Sequence, residues 1–312
     1  MRRWAVNYSS YRRRLRSARA AVAEEERHMG VVSSRLSQHL RKASRRERHY
    51  RALETARQLP TAAQLVRSGH TALHAEYLVI QNLLSVFAEL ASVLPECEEY
   101  YDLVSKAEDE YLPSGPPMSP LTTSYFTSWA FCDVRFGPER ETMASCLASD
   151  GSVLAMSAAQ VAVLRAFGGS RMGIYLHEGR SKAGVTLREL VTNNTCDCQV
   201  PAGYLGEGSE LWYVRLCPPA QDLGPEWVVL TTPYVLTGAS QADWLAYLNK
   251  SIAREGTADR SAALHDFLKY GRTPMEWPEF VFQAFKGSRN NVIFLAGLPD
   301  VASSRPHSPE NM

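Results

Sequence analysis

Three cysteines in the second half of the chain come nearest to the residue types and spacing of a metal site. Cys196 and Cys198 are separated by one residue, and Cys217 follows them along the chain. Zinc sites usually separate paired cysteines by two to four residues, so that both thiolates reach one ion. A one-residue gap on a β-strand places both side chains on one face, about 7 Å apart. We therefore expect Cys196, Cys198 and Cys217 to be small apolar residues within a sheet, and metal ligation is the weaker alternative.

Two pairs of adjacent residues could take part in acid–base chemistry. His177 and Glu178 end a predicted strand, a position from which side chains often act in catalysis. His265 and Asp266 fall on a predicted helix, where neighbouring side chains point about 100° apart and cannot orient one another. We expect each of these histidines to be a surface or hydrogen-bonded structural residue.

A nucleophilic triad can be assembled from residue types alone, but no local signature supports one. Cys132 or Cys146 could act with His177 and Asp133, although the sequence supplies no geometry for them. The nucleophile-elbow pattern G-x-S-x-G is absent. Gly168 and Gly169 lack the lysine and spacing of a phosphate-binding loop and are typical of a helix end. We predict no cofactor and leave the catalytic residues unassigned.

Positive charge concentrates at the start of the chain. Residues 1–60 contain sixteen Lys or Arg and five Asp or Glu, although the whole chain has a net charge of +1. Arginine can engage phosphates bidentately, and such binding weakens with salt. The residues that we predict to contact a partner or a nucleic acid are Arg12, Arg13, Arg14, Arg16, Arg19, Arg41, Lys42, Arg45, Arg46 and Arg48.

Residues 8–58, here called the basic helix, carry an apolar heptad repeat. The first position of every heptad is apolar, whereas Glu25, His39 and Arg46 interrupt the fourth position. Such a repeat predicts a coiled-coil seam that must pair with another helix, in cis or in trans. The first-position residues, here called the seam, are Tyr8, Leu15, Val22, Met29, Leu36, Ala43 and Tyr50.

Acidic helices are predicted to follow the basic helix. Residues 61–112 hold nine acidic and two basic side chains, and their apolar periodicity predicts helices over about 71–94 and 96–111. These helices could fold back on the basic helix. The charge separation would then serve contacts within the chain rather than contacts with a partner. We assign residues 1–112 to an N-terminal helical arm and residues 113–120, which contain four prolines, to a linker.

Residues 121–298 form the second predicted domain. Helical patterns at both of its ends flank five short apolar or alternating runs, which begin near Met172, Val185, Thr195, Glu210 and Trp227. Consecutive strands at this spacing suggest an antiparallel meander that curls into a small barrel or a bent sheet. The fold class is therefore α+β, with a long-helix or coiled-coil region before a mixed domain. Residues 299–312 are predicted to be a disordered tail.

The expected function is that of a non-catalytic, intracellular interaction or scaffold protein that pairs through the basic helix. The first alternative is a nucleic-acid-associated protein that uses the same arginines. The second is a hydrolase or metal enzyme within residues 121–298. The chain has no apolar run of eighteen residues and opens with arginines rather than a hydrophobic stretch, so we expect a soluble, cytoplasmic chain without a membrane partner. The partner would be a protein or a second copy of the chain.

Overall fold

A computed structural model of the chain describes residues 47–94, 97–111, 120–137, 140–149, 151–219, 224–254 and 259–299. Residues 1–46, which include most of the predicted basic helix, the predicted linker except residue 120, and the tail from residue 300 lie outside the described residues. Contacts divide the chain into two compact units. The first contains the described residues up to Asp109 together with Ser128–Gly169. The second contains Glu110–Thr127, Ser170–Pro219 and the described residues from Gly224 onward.

Helices form the first unit. They are α1 (residues 47–58), α2 (Ala62–Arg67), α3 (Ala72–Ala91), α4 (Glu98–Tyr111), the C-terminal part of α5 (Pro120–Cys132), α6 (Met143–Ser149), α7 (Ala158–Gly169) and a short 3-10 helix (Gly151–Leu154).

Local sequence explains where several of these helices begin. Thr61 and Gln64 form a capping box at the start of α2, and Ser157 and Gln160 do the same at α7. The side chain of Thr71 accepts a hydrogen bond from the backbone of His74 and so caps α3. These caps satisfy backbone donors that no carbonyl within the helix could reach.

The apolar face of α3 forms the core of the first unit. Leu73, Tyr77, Ile80 and Leu84 are almost fully buried, as the predicted periodicity requires. α3 packs against α6 and α7, and the rings of Tyr77 and Phe167 lie 6.0 Å apart.

The second unit is built on strands. They are β1 (Arg171–Arg180), β2 (Val185–Glu189), β3 (Thr195–Gln199), β4 (Leu211–Cys217), β5 (Trp227–Val229), β6 (Tyr234–Thr237), β7 (Phe285–Arg289) and β8 (Val292–Ala296). Three helices follow β6 in the chain and precede β7, namely α8 (Gln241–Arg254), α9 (Arg260–Tyr270) and α10 (Glu276–Gln283).

β1 to β5 close into a barrel in the order β1-β2-β3-β5-β4, because β4 pairs back onto β1. The prediction of a small five-stranded barrel with flanking helices is confirmed. The prediction of a purely antiparallel meander is wrong beyond β3, since β4 joins β1 instead of β3, and β5 runs parallel to β3. Closure in this order pairs both edges of the β1-β2-β3 meander.

Beyond the barrel, the sheet continues through β6, β8 and β7. β6 pairs with β4 and runs parallel to β8, which pairs with β7 in an antiparallel hairpin. These three strands lie outside the five apolar or alternating runs that were identified in the sequence.

Both faces of β4 are buried, and this burial explains why all its residues except Arg215 are apolar or aromatic. Trp212, Val214 and Leu216 point into the barrel core. Tyr213 lies on the opposite face, where its ring stacks on that of Trp277 from α10 at 5.2 Å. Arg215, also on that face, is fully buried.

Two buried basic side chains meet at the beginning of β1. Arg215 and Lys269 each donate a hydrogen bond of 2.7 Å to the carbonyl of Ser170, and Arg215 also reaches the Ser170 hydroxyl. Lys269 comes from α9, so this carbonyl links β1, β4 and α9 within the second unit. A charged donor makes each of these hydrogen bonds stronger than a neutral one.

No helix among the described residues is long and apolar enough to cross a membrane.

Candidate functional site

Most of the predicted partner-contacting residues lie outside the described residues. This holds for Arg12, Arg13, Arg14, Arg16, Arg19, Arg41, Lys42, Arg45 and Arg46. Arg48 is described and lies exposed on α1. On the same helix, Arg51 pairs with Glu47 at 2.6 Å and Arg57 pairs with Glu54 at 3.1 Å. Both ion pairs are exposed, so each contributes little to stability.

Tyr50, the last residue of the seam, is 64 % exposed. Ala52, two residues further along α1, is buried. The Ala52 position of α1 is therefore covered by protein, while the seam position carries an aromatic ring in contact with solvent. A large exposed aromatic side chain is a feature of binding surfaces when it belongs to a larger apolar stripe.

The predicted metal candidates are not brought together. Cys198 faces the barrel core, and Cys196 packs against the same core. Cys217 is buried on the opposite face of β4, because the inward-facing residues of that strand are Trp212, Val214 and Leu216. Among the described residues, no group of three or more His, Cys, Asp or Glu side chains could hold a metal ion.

Burial keeps the half-exposed thiols in their protonated form. Desolvation raises the pKa of Cys196 to about 11, and the nearby carboxylates of Glu189 and Asp197 act in the same direction. Desolvation likewise raises the pKa of Cys146 to about 11, with Glu141 and Cys97 adding to the shift. Nucleophiles and zinc ligands need the thiolate, which these surroundings disfavour.

His177 and Glu178 point to opposite sides of β1, as successive residues of a strand do. Glu178 is on the outside, where it accepts a hydrogen bond of 2.6 Å from Arg188 of β2. His177 is 1 % exposed, and its ring lies 4.9 Å from the ring of Trp212. The two residues therefore do not form an acid–base pair.

The loop between β3 and β4 folds over His177 and determines its tautomer. His177 Nε2 lies 2.9 Å from the carbonyl oxygen of Leu205. Because a carbonyl only accepts hydrogen bonds, Nε2 carries the proton and donates it. Nδ1 is buried and has no hydrogen-bond partner among the described residues. This nitrogen is thus available as a buried acceptor.

Beside His177, a carboxylate is held by two donors. Glu210 accepts hydrogen bonds of 2.8 Å from the hydroxyl of Tyr204 and from the indole N–H of Trp212. The Glu210 carbonyl also accepts a hydrogen bond from the backbone of His177. We call His177, Tyr204, Glu210 and Trp212 the barrel-end cluster. Its hydrogen bonds fix the β3–β4 loop to the end of the barrel.

Gly206 allows the backbone of the β3–β4 loop to lie close to the side chains of Glu210 and Trp212. Its φ is +56°, and a Cβ at this position would lie 2.5 Å from Glu210 Oε2 and 2.6 Å from Trp212 Cζ2. No larger residue fits there without displacing the carboxylate or the indole. No motif in the sequence pointed to Tyr204 or Glu210, although three glycines within six residues, at 203, 206 and 208, indicate a tightly folded loop.

A separate groove of about 580 Å³ lies beside α10 in the second unit. Arg272, Glu276, Glu279 and Lys286 are among the residues that line it. Glu276 is held by Arg272 at 2.8 Å and by the hydroxyl of Tyr247 at 3.1 Å. The groove is therefore lined by two basic and two acidic side chains.

The other residues singled out from sequence differ in their exposure. Cys132 and Asp133 are buried, at 0 % and 6 % exposure. On α9, Asp266 is exposed while His265 is half-buried, as expected for neighbours on one helix. Gly169 ends α7, which confirms that residues 168–169 are a helix end rather than a phosphate-binding loop.

Comparison of the chain with protein-family models, with curated proteins and with solved structures finds no match.

Proposed function

We propose that this chain is a non-catalytic interaction protein that pairs through its basic helix. The observation that carries the proposal is the exposure of Tyr50 on α1. This residue continues an apolar heptad repeat that begins at Tyr8, and 64 % of it is in contact with solvent. An apolar stripe that its own chain leaves open at its end is expected to gain stability from a second helix.

Charge indicates which kind of helix would fit. The excess of basic residues in 1–60 makes two parallel copies of the basic helix repel one another at flanking positions. An acidic helix avoids this repulsion. The chain itself carries an acidic segment in residues 61–112, where α4 begins with Glu98 and Glu99. A second copy, arranged so that basic and acidic helices meet, or an acidic partner helix would satisfy both the seam and the charge.

The experiment compares seam and surface substitutions in the full-length chain. Leu15→Asp and Leu36→Asp place a charge in the seam, whereas Ser34→Asp, two positions before Leu36 and outside the seam, is the matched control. Both seam variants should lose helical circular dichroism signal and melt at a lower temperature, whereas the control should match the wild type. Light scattering then separates pairing in trans from pairing in cis, because a dimer has twice the 34.8 kDa mass of one chain.

An unchanged helical signal, melting temperature and mass in both seam variants would contradict the proposal. The nucleic-acid alternative is distinguished by a salt titration with duplex and single-stranded DNA. Binding that falls steeply with salt, and that survives the seam substitutions but is lost when Arg12, Arg13 and Arg14 are changed to Gln, would favour nucleic-acid association instead.

A further inference from the structure

Two histidines in the first unit face each other across the beginning of α3. His70 precedes the capping residue Thr71, and His74 lies in the first turn of the helix. Their Nδ1 atoms are 3.3 Å apart, and their ring centres are 5.0 Å apart with 76° between the ring planes. No other pair of histidine rings in the described part of the chain is in contact.

Backbone contacts hold both residues in place. The backbone N–H of His70 donates to the carbonyl of Leu65 at 3.2 Å, at the end of α2. The backbone N–H of His74 donates to the hydroxyl of Thr71 at 3.3 Å. The backbone positions of the two histidines are therefore set by the α2–α3 turn.

The separation of the rings matches that of two imidazoles on one tetrahedral metal ion. Bound to zinc at the usual 2.0–2.1 Å, two nitrogens lie about 3.3 Å apart and their ring centres about 5.2 Å apart. Both values agree with the arrangement of His70 and His74. An octahedral ion with adjacent ligands would need a nitrogen–nitrogen distance nearer to about 3.0 Å.

We propose that His70 and His74 form a two-imidazole site for a divalent transition-metal ion, with zinc as the reference ion. The metal takes the place of the proton that one Nδ1 now shares with the other. That proton is transferred through solvent to Nε2 of the same ring, so both imidazoles stay neutral and each binds through Nδ1. Among the described residues, no group of three or more His, Cys, Asp or Glu side chains could hold a metal. Water completes the coordination, and the site stays open to an external ligand.

The chemistry of the two side chains indicates which ions would bind. Imidazole nitrogens favour zinc and copper, whereas magnesium prefers oxygen ligands.

The test is calorimetric titration of Zn²⁺ into the full-length protein after dialysis against EDTA, with Mg²⁺ as the comparison ion. The wild type should bind one Zn²⁺ in the micromolar range that is lost, or weakened at least tenfold, in His70→Gln and in His74→Gln. His49→Gln changes an exposed histidine of α1 and should leave Zn²⁺ binding unchanged. Circular dichroism shows whether each variant is folded.

A second measurement does not depend on the variants. Co²⁺ bound to the wild type at a four-coordinate site should give intense visible absorption, which Zn²⁺ should displace. The proposal is overturned if wild-type protein binds Zn²⁺ no more tightly than Mg²⁺. It is also overturned if both folded histidine variants bind Zn²⁺ like the wild type, or if the Co²⁺ spectrum shows only weak six-coordinate bands.

Discussion

His177 donates its Nε2 proton to the carbonyl of Leu205 at 2.9 Å, and this contact ties the β3–β4 loop to the interior of the barrel. The same geometry leaves Nδ1 buried without a partner among the described residues. One ring nitrogen thus contributes a hydrogen bond, while the other carries the desolvation cost of an unpaired polar group.

Substitutions at His177 should separate the contribution of its shape to stability from the contribution of its polarity. His177→Phe keeps a ring against Trp212 and removes both nitrogens, so the lost hydrogen bond and the relieved desolvation nearly cancel. We expect its free energy of unfolding to stay within about 1 kcal/mol of the wild type. His177→Ala opens a cavity and should lower that free energy by about 2–4 kcal/mol. Urea denaturation measures both. If His177→Phe lowers the free energy of unfolding as much as His177→Ala does, the polarity of His177 is needed for stability.

Two glycines of the same loop provide a matched pair. Gly206→Ala should destabilise the second unit by about 2 kcal/mol, because alanine combines a strained positive φ with contacts below 3 Å to Glu210 and Trp212. Gly208→Ala should change stability by less than about 0.5 kcal/mol, since no atom lies within 4 Å of its added Cβ. Thermal melts followed by tryptophan fluorescence would report the difference. Equal losses of stability in the two variants would show that the effect of the alanine does not come from its contact with Glu210.

The hydroxyl of Tyr204 should lose its proton only at an unusually high pH. Burial raises its pKa to about 12, and the hydrogen bond to Glu210 and the charge of that carboxylate add to the shift. The folded state favours the neutral phenol, so this contribution to stability is complete below pH 10 and is lost as the pH rises through 12. Subtracting the ultraviolet titration of Tyr204→Phe from that of the wild type should reveal a step near 12. In a Glu210→Gln background, the step should move downward but remain above 10, because desolvation is the largest cause. A step at 10 in the wild type would contradict the described position of Tyr204.

Strands with strong periodicity could be predicted from sequence, and those stabilised by distant partners could not. β4 was recognisable because Leu211–Cys217 is apolar on both faces, and both faces are in fact covered. β7 could not be recognised in this way. Its Lys286, Gly287 and Ser288 have little intrinsic preference for strand, and pairing with β8 overrides that preference.

Pairing order and the barrel-end cluster depend on contacts that no local pattern encodes. Neighbouring strands in sequence usually pair, so a meander was the natural prediction for β3 and β4. The structure instead closes β4 onto β1. Similarly, Tyr204 and Glu210 are six residues apart in a glycine-rich loop, and only the folding of that loop brings the hydroxyl to the carboxylate. The positions of two cysteines could be predicted from sequence, since alternation along β3 places Cys196 and Cys198 on the same face of the strand, which is the inner one.

The surroundings of Cys196 should make its thiol react slowly with alkylating reagents. With its pKa raised to about 11, Cys196 should react with iodoacetamide at pH 8 about a hundredfold more slowly than a thiol of ordinary pKa, because only the thiolate attacks. Its rate should rise about tenfold per pH unit until the pH approaches 11. Peptide mapping by mass spectrometry identifies the modified cysteine, and Cys198, fully buried beside it, should stay unmodified while the protein is folded. Zinc content should be the same in the wild type and in Cys196→Ser. Rapid modification of Cys196 at pH 8, or loss of bound zinc in Cys196→Ser, would instead indicate a stabilised thiolate and revive the metal-enzyme alternative.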